Sequence, residues 1–362
     1  MGAHGYGGDR LWLSRLSERA ARGSFPPWLV ALVGYNVLPV AVTVTLWATA
    51  PGPWPPTLWV AMGFGLLFHL VAAVLVWYYD TTVLPGFFDE VRELVVEESL
   101  ADLERIAARQ QRFFARRWPL TAVPWTGLIL TIAVLATDFQ RSLGVAGVGD
   151  PVYPLYLAYY LWGGILTGIG FHGMLTTVRC IREFTSTVDL RIDPLHPDGL
   201  GGLGAFGFLA IRTTLMTSLG ALLLPMGFEM AAGRGLQWLV GTAIVLYTVF
   251  IAGTFVYPTY RVHRVADRLR ETELDRLRRE IRGLPGQLST AADTAADTDD
   301  GSAVDNRELA VQLEIQRLRR EYREYADVKL YPMSVSILAQ LVGSVLLPLA
   351  FLLLDIALSR VL

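Results

Sequence analysis

Cysteine and lysine are almost missing from this chain. Its 362 residues hold one cysteine, Cys180, and one lysine, Lys329, beside 30 arginines. A lone cysteine excludes a disulfide framework. The lone lysine precedes the last apolar run, so no Schiff base can form within that run, and a retinal protein is excluded. Charge is sparse as well: 18% of the residues are charged, where soluble domains carry about a quarter. No Gly-Lys-Ser/Thr tripeptide is present, which excludes a P-loop. Neither a zinc-ligand spacing nor a nucleophile-and-base pair stands out. The net charge of −2 gives no electrostatic reason to expect a nucleic-acid partner.

What the chain has in abundance is apolar length. Hydrophobic residues make up 53% of it, gathered into runs of the roughly 20 residues needed to cross about 30 Å of hydrocarbon. The fold class read from this is an all-α membrane protein with seven transmembrane helices and cytosolic amphipathic helices. Residues 1–27 form a cytosolic interfacial helix, with Leu11, Trp12 and Leu16 on one face. Spans one and two fill 28–79, closing on a Trp77-Tyr78-Tyr79 anchor. Residues 80–118 read as a cytosolic amphipathic helix, acidic first and basic later, as the helix dipole favours. Spans three and four occupy 119–178. In the fourth, Gly164 and Gly168 form a small-xxx-small pair that lets helices approach closely. A cytosolic helix extension and a glycine-rich turn fill 179–209, with Val188, Leu190 and Ile192 alternating against polar residues as a short extended piece. Spans five and six lie in 210–257. A cytosolic helical hairpin follows at 258–331, its Thr/Ala/Asp-rich linker at 286–302 too polar to order itself. Span seven falls in 332–362.

Basic residues orient the spans. Of 31, 27 fall in segments 1–27, 80–118, 178–202 and 258–331, while Arg141, Arg234 and Arg360 fall in the segments on the other side. The positive-inside rule places the first set and the N-terminus in the cytoplasm and the C-terminus outside. The expected location is the cell membrane, as a multi-pass protein. Rhodopsins and G-protein-coupled receptors, whose N-terminus is external, do not fit that orientation.

Candidate functional residues fall into two sets. The first lies on a pore or pathway: Gln340, Ser344 and Asp355 on one side of span seven, Glu229 and Arg212 in span five, and His69 and His172 at membrane depth. Ionisable groups there are costly and call for a function or a partner. The second set lies in the turn: His196, Asp198, Gly199, Gly201, Gly202 and Gly204. It contains G-x-G-x-x-G in form, but between two membrane helices rather than a strand and a helix, so it does not read as a nucleotide loop. Proline fixes φ, aspartate caps a helix and glycine reaches positive φ, which makes this a rigid coupling turn. Metal binding by His196, Asp198, Asp193 and Asp189 is the sharper alternative. Metal content stays unknown from sequence, and no cofactor is expected.

The string Leu195-His-Pro-Asp-Gly-Leu-Gly-Gly-Leu-Gly204 resembles one found in uncharacterised prokaryotic multi-pass membrane proteins; an arginine-over-lysine bias with abundant Ala, Val, Leu and Gly suits a GC-rich prokaryotic genome. The architecture as a whole resembles the seven-transmembrane insect olfactory and gustatory receptor type of ion channel. In that family a cytosolic helix directly precedes the last span, subunits form tetramers through such helices, and the seventh span lines a cation pore. The resemblance implies that 306–330 is the cytosolic part of helix seven and 335–358 its pore part. The family's Thr-Tyr…Gln-Phe signature is not reproduced around Tyr331 and Gln340, so no residue role is carried over. The resulting expectation is a homo-oligomeric ion channel or channel-like receptor in a lipid bilayer, acting on an ion or small-molecule ligand. The alternatives are a membrane-embedded enzyme or redox protein using the histidines or the His-Pro-Asp loop, and a membrane sensor signalling through its cytosolic helices.

Overall fold

The computed structural model describes residues 9–21, 25–198, 200–231, 235, 237–295 and 301–328. Among them the chain is nearly all helical and has no strand. Helix α1 (Trp12–Ala20) leads to α2 (Pro27–Gly34) and α3 (Val37–Thr49), the two halves of one apolar rod. The rod breaks at Tyr35–Asn36 because Pro39 has no N–H to offer the Tyr35 carbonyl. Asn36 Nδ2 donates to the Leu32 carbonyl at 2.6 Å and so relieves a neighbouring acceptor. Helix α4 (Pro56–Tyr78) runs through a π-helical turn (Tyr79–Val83) into α5 (Leu84–Val91). Helices α6 (Leu100–Arg117), α7 (Pro119–Leu135) and α8 (Thr137–Ser142) come next, then α9 (Tyr153–Thr187). Helix α10 (Gly204–Ser218) passes through a tight 3-10 segment into α11 (Leu224–Ala231). Two long helices end the described chain, α12 (Gln237–Ala295) and α13 (Gly301–Asp327).

Five of these described rods are long and apolar enough to cross a membrane: Pro27–Thr49, Pro56–Leu94, Glu97–Leu135, Gly204–Ala231 and Trp238–Leu284. The seven runs expected from sequence differ from these five for two reasons. Span four corresponds to α9, whose Gly, Thr, Tyr and His content dilutes its apolar character. Span seven lies outside the described residues, together with Gln340, Ser344 and Asp355.

Helix α9 is the centre of the bundle, packing against α3, α4, α6, α7, α10 and α12. Its small residues explain how. In lipid, helices associate through close packing and hydrogen bonds rather than through escape from water. A Cβ on Gly164 would lie 2.9 Å from Thr126 Cα, and one on Gly168 would overlap Ala122 Cα. The backbones of α7 and α9 therefore touch along the small-xxx-small face. Thr121 Oγ1 donates to the Gly168 carbonyl at 2.9 Å across the same contact.

At one end of the bundle the polar segments converge. Three depart from the sequence reading. Helix α1 buries a different face from the one expected: Leu11, Leu13, Ser14 and Ser17 are fully buried against protein, while Leu16 is half-exposed. Its Trp12 ring meets Tyr35, Trp118 and Trp162 at centroid distances of 6.2–6.4 Å. Region 80–118 is not one helix. It breaks at 92–99, where Val95 bridges Leu190 in antiparallel fashion. Helix α12 runs unbroken from the apolar stretch through Ala295, so the first part of the 286–302 linker is helical. Its alanines are strong helix formers.

Asp80 ties α1 to the bundle. Its Oδ2 accepts the N–H of Leu11, the residue preceding α1, at 3.0 Å. A glutamate one turn inside a helix often accepts this N–H; here a carboxylate 69 positions away does so. Replacing Asp80 with alanine leaves a buried N–H without an acceptor, at a cost of about 1–3 kcal/mol. Helix α1 is then expected to open locally. Trypsin should cleave after Arg15 and Arg19 several-fold faster than in the wild type, and an unchanged rate would contradict the tether.

Candidate functional site

The turn between α9 and α10 is built from its edges inward. Helix α9 ends at Thr187, and the chain turns extended. Val188, Leu190 and Ile192 point into the core, each under 8% exposed, and Asp189, Arg191 and Asp193 point out. This is the alternation read from the sequence. The extended piece is held by Val96 N–H on the Asp189 carbonyl at 3.1 Å and Arg191 N–H on the Leu94 carbonyl at 2.9 Å. The Arg191 guanidinium also donates to the Glu93 carbonyl.

Asp198 organises the rest of the turn. Its Oδ1 accepts N–H bonds from Leu200 at 2.8 Å and Gly202 at 3.0 Å, and its Oδ2 accepts from Gly204 at 3.0 Å. Gly204 opens α10, so a carboxylate six residues upstream caps that helix. The His196 Nδ1 lies 2.9 Å from Oδ1, the geometry of an Nδ1–H donating to the carboxylate. The Asp198 N–H approaches the same ring nitrogen at 3.4 Å, a weaker contact that competes for one position. Burial opposes the charge on Asp198, but the N–H groups of Gly202, Leu200 and Gly204 and the His196 ring outweigh it. They hold the carboxyl below its ordinary range.

Two glycines are required here. Gly201 and Gly202 have φ of +67° and +88°. A Cβ on Gly201 would sit 2.6 Å from Ile192 Cγ2 and 3.3 Å from Val328 Cγ1, and one on Gly202 would overlap the Leu94 side chain. Valine at Gly202 is therefore expected to cost about 1–2 kcal/mol in conformation and about 1–3 kcal/mol in overpacking. The thermal midpoint in detergent should fall while membrane insertion is unchanged. An unaltered midpoint would reduce this stretch to an ordinary loop.

The far end of α13 rests on the same turn. Tyr325 Oη donates to the Ile192 carbonyl at 3.4 Å, and Val328, 7% exposed, packs against Gly201. The structure thus brings together His196, Asp198, Gly201, Gly202 and Gly204 with Leu94, Ile192, Tyr325 and Val328; Gly199 lies outside the described residues. Sequence reasoning had no means to place Tyr325 and Val328 here, since the contact spans more than 120 positions.

The pathway candidates do not meet at one place. His69 on α4 is buried, with Nδ1 2.7 Å from the Gly65 carbonyl and its ring 4.3 Å from that of Tyr159. Its Nε2 faces Gly163, 3.0 Å from where a Cβ would stand. His172 on α9 lies with Nε2 3.1 Å from the Phe113 carbonyl, its ring beside those of Phe113 and Phe114. Nine residues separate Gly163 and His172 on α9, about 13 Å along the axis, so the two imidazoles do not face a common ligand between them. Arg212 is exposed on α10 with its guanidinium 5.9 Å from the Phe208 ring centroid, and Glu229 is half-buried on α11. Among the described residues no three His, Cys, Asp or Glu side chains gather in metal-binding range.

Comparison of the chain with known protein families, curated proteins and solved structures finds no match.

One polar chain inside the bundle escaped the sequence reading. Tyr79 Oη donates to the Gly173 carbonyl at 3.0 Å or to Thr177 Oγ1 at 2.9 Å, and Thr177 Oγ1 lies 2.9 Å from Thr213 Oγ1. It joins the π-helical turn to α9 and α10. The sequence suggests an interfacial anchor at Tyr79, but it is a 4%-exposed core residue. The available signal was the threonines at 176, 177, 213, 214 and 217 within otherwise apolar runs, where a hydroxyl needs a partner.

Proposed function

We propose that the chain is a homo-oligomeric, channel-like receptor of the cell membrane, in which the cytosolic hairpin sets the state of the membrane bundle through the Asp198 turn. The observation that carries this is the seat of Tyr325 and Val328 on that turn. Anything that moves α13 must act on Ile192 and Gly201, and through them on the ends of α9 and α10. In sequence, residue 328 stands seven positions before the last apolar run at 335–358.

Topology enters the proposal as seven spans, N-terminus inside and C-terminus outside. Five apolar helices, the central α9 and run 335–358 supply the seven. The basic-rich segments support a common side, because α1, the 92–99 break, the Asp198 turn and the cytosolic end of α12 share one buried cluster that includes Leu13, Val95, Ile192, Val262 and Val328. A pore would lie between subunits, with Gln340, Ser344 and Asp355 as its candidate lining. The bundle centre is filled by side chains, and its cavity beside Tyr79 and Thr213 measures only about 50 Å³. That same packing favours one second reading, a non-conducting membrane sensor that reports through α12 and α13.

Mass photometry in detergent, paired with ion flux in proteoliposomes, separates the readings. The channel-like receptor is expected to be an oligomer and to pass ions, with flux lost when Gln340 and Ser344 are replaced by tryptophan. A strict monomer in tight liposomes sinks it. A tight oligomer leaves the sensor.

A further inference from the structure

A groove opens along the bundle between α7, α9 and α12. It encloses about 670 Å³ and is lined by side chains such as Trp125, Leu128, Leu175, Val178, Val249 and Phe250. That volume falls within the roughly 300–1,000 Å³ of small-molecule sites. The lining is apolar. Its threonine hydroxyls are taken up by backbone carbonyls: Thr121 donates to Gly168, and Thr254 to Phe250.

Beyond one end of the groove, all three helices that wall it carry arginines. Helix α9 continues to Thr187, and Arg182 stands seven residues past Leu175, two turns along the same stripe, with Arg179 beside it. Helix α12 carries Arg261 eleven residues past Phe250, three turns along and again on the same stripe, followed by Arg264. On the third wall Arg117 precedes Leu120 by one turn, and the path through Trp118 stays helical at φ −52° and ψ −31°. Among the described residues none of these five arginines pairs with a carboxylate. Arg179 stacks 4.5 Å from the Phe113 ring centroid, and Arg264 lies 5.4 Å from that of Tyr260. The Arg261 Nε is buried without a hydrogen-bond partner. Nearby acids are already occupied: Glu183 by Arg109 and Gln110, Asp267 by Arg270.

An apolar groove with arginines beyond one end, none of them paired with a carboxylate among the described residues, complements a molecule with a long hydrocarbon tail and an anionic head. We propose that the groove binds one anionic phospholipid per chain, its acyl chain between α7 and α12 on the floor of α9 and its phosphate at Arg179, Arg182 and Arg261. Guanidinium groups bind phosphate through paired N–H donors, and basic pockets between membrane helices hold anionic headgroups on the cytoplasmic side. The proposal rests on the reading that these helices cross a bilayer. It is independent of whether the protein conducts ions, because no flux enters its test.

Native mass spectrometry of the full-length protein in detergent, titrated with palmitoyl-oleoyl phosphatidylglycerol or with the matching phosphatidylcholine, tests it. One phosphatidylglycerol per chain should be retained at about tenfold lower concentration than phosphatidylcholine. Arg179→Gln with Arg261→Gln should erase that preference. Gly253→Trp, placed in the groove where a Cβ meets nothing within 4 Å, should weaken retention of both lipids. Arg212→Gln, on α10 away from the groove, should change neither. Equal retention of the two lipids overturns the proposal, as does an equal effect of Arg212→Gln, which would mark a general basic belt. Absent saturable binding together with a lower unfolding midpoint for Gly253→Trp also overturns it, since the groove would then be filled by protein.

Discussion

Valine at Gly168 is expected to separate α7 from α9 and to leave little folded protein after detergent extraction. The reason lies in what a side chain would meet. At Gly168 the obstacle is the Cα of Ala122, with its Cβ and N close behind. A flexible side chain can yield by rotation, but backbone yields only if the whole helix moves. Displacing α7 also breaks the Thr121 bond to the Gly168 carbonyl and loosens the Thr126 contact at Gly164. Overpacking typically costs about 1–3 kcal/mol, occasionally more, and a lipid-embedded bundle has no hydrophobic term to recover the loss. We expect about 3 kcal/mol, the upper end of that range. Gly170, two residues away, is the control: a Cβ there meets nothing within 4 Å, so Gly170→Val should keep a near-wild-type thermal midpoint. Equal behaviour of the two variants would contradict the close α7–α9 contact.

Removal of the Asp198 carboxylate should have the second large effect. One side chain serves three backbone N–H groups and the His196 ring. Hydrogen bonds to a charged acceptor contribute about 1.5–3 kcal/mol each in favourable cases, but these share one group and do not add. Asp198→Ala is expected to cost about 2–4 kcal/mol. Asp198→Asn keeps one carbonyl oxygen and turns an NH2 toward donors, so it should recover less than half of that. Asp193→Ala serves as the control, since among the described residues that exposed carboxylate accepts only the Leu195 N–H.

The pH dependence is set by the sign of the shift. The folded-state pKa of Asp198 lies below the ordinary value of 3.8. Its contribution is therefore fully present above that value and is lost as pH falls through the lower folded one. The stability gap between wild type and Asp198→Asn should narrow below about pH 4. Denaturation midpoints on either side of that pH check this. A gap that widened on acidification would mean that the carboxylate is not the stabilising form.

Local pattern carried the sequence reading a long way. Apolar run lengths marked the helices that cross the bundle. The Gly164/Gly168 spacing marked the face where α7 approaches, and the alternation of Val188, Leu190 and Ile192 marked the extended piece. Each of these signals lies within a single continuous stretch of chain. What escaped was decided by partners far along the chain. Asp80 looked like the first charge of a polar segment, because its partner Leu11 is 69 positions upstream. Region 80–118 looked like one amphipathic helix, because the break at 92–99 pairs with residues 189–191, about 90 positions away. Tyr79 looked like an interfacial aromatic, because its threonine partners lie on other helices. In the turn, composition announced a rigid element, and Asp198 was a foreseeable cap. The arrival of Tyr325 and Val328 from α13 was not foreseeable, since amphipathic spacing says which face a helix buries and not what it meets. Gln340, Ser344 and Asp355, lying outside the described residues, remain proposals from sequence.

The seat of α13 on the turn can be locked and released. Ile192 Cγ2 and Val328 Cγ1 both face Gly201, so cysteines at both positions, in a Cys180→Ser background, bring two thiols toward the same glycine. Ion flux measured in proteoliposomes before and after oxidation, and again after reduction, is the most direct test of coupling between hairpin and bundle. If the hairpin sets the state of the bundle, the disulfide forms within one chain and changes flux by about tenfold (a differential of about 1.4 kcal/mol between states), reversibly on reduction. Failure of the disulfide to form, or a flux indifferent to whether it is closed, would contradict that coupling.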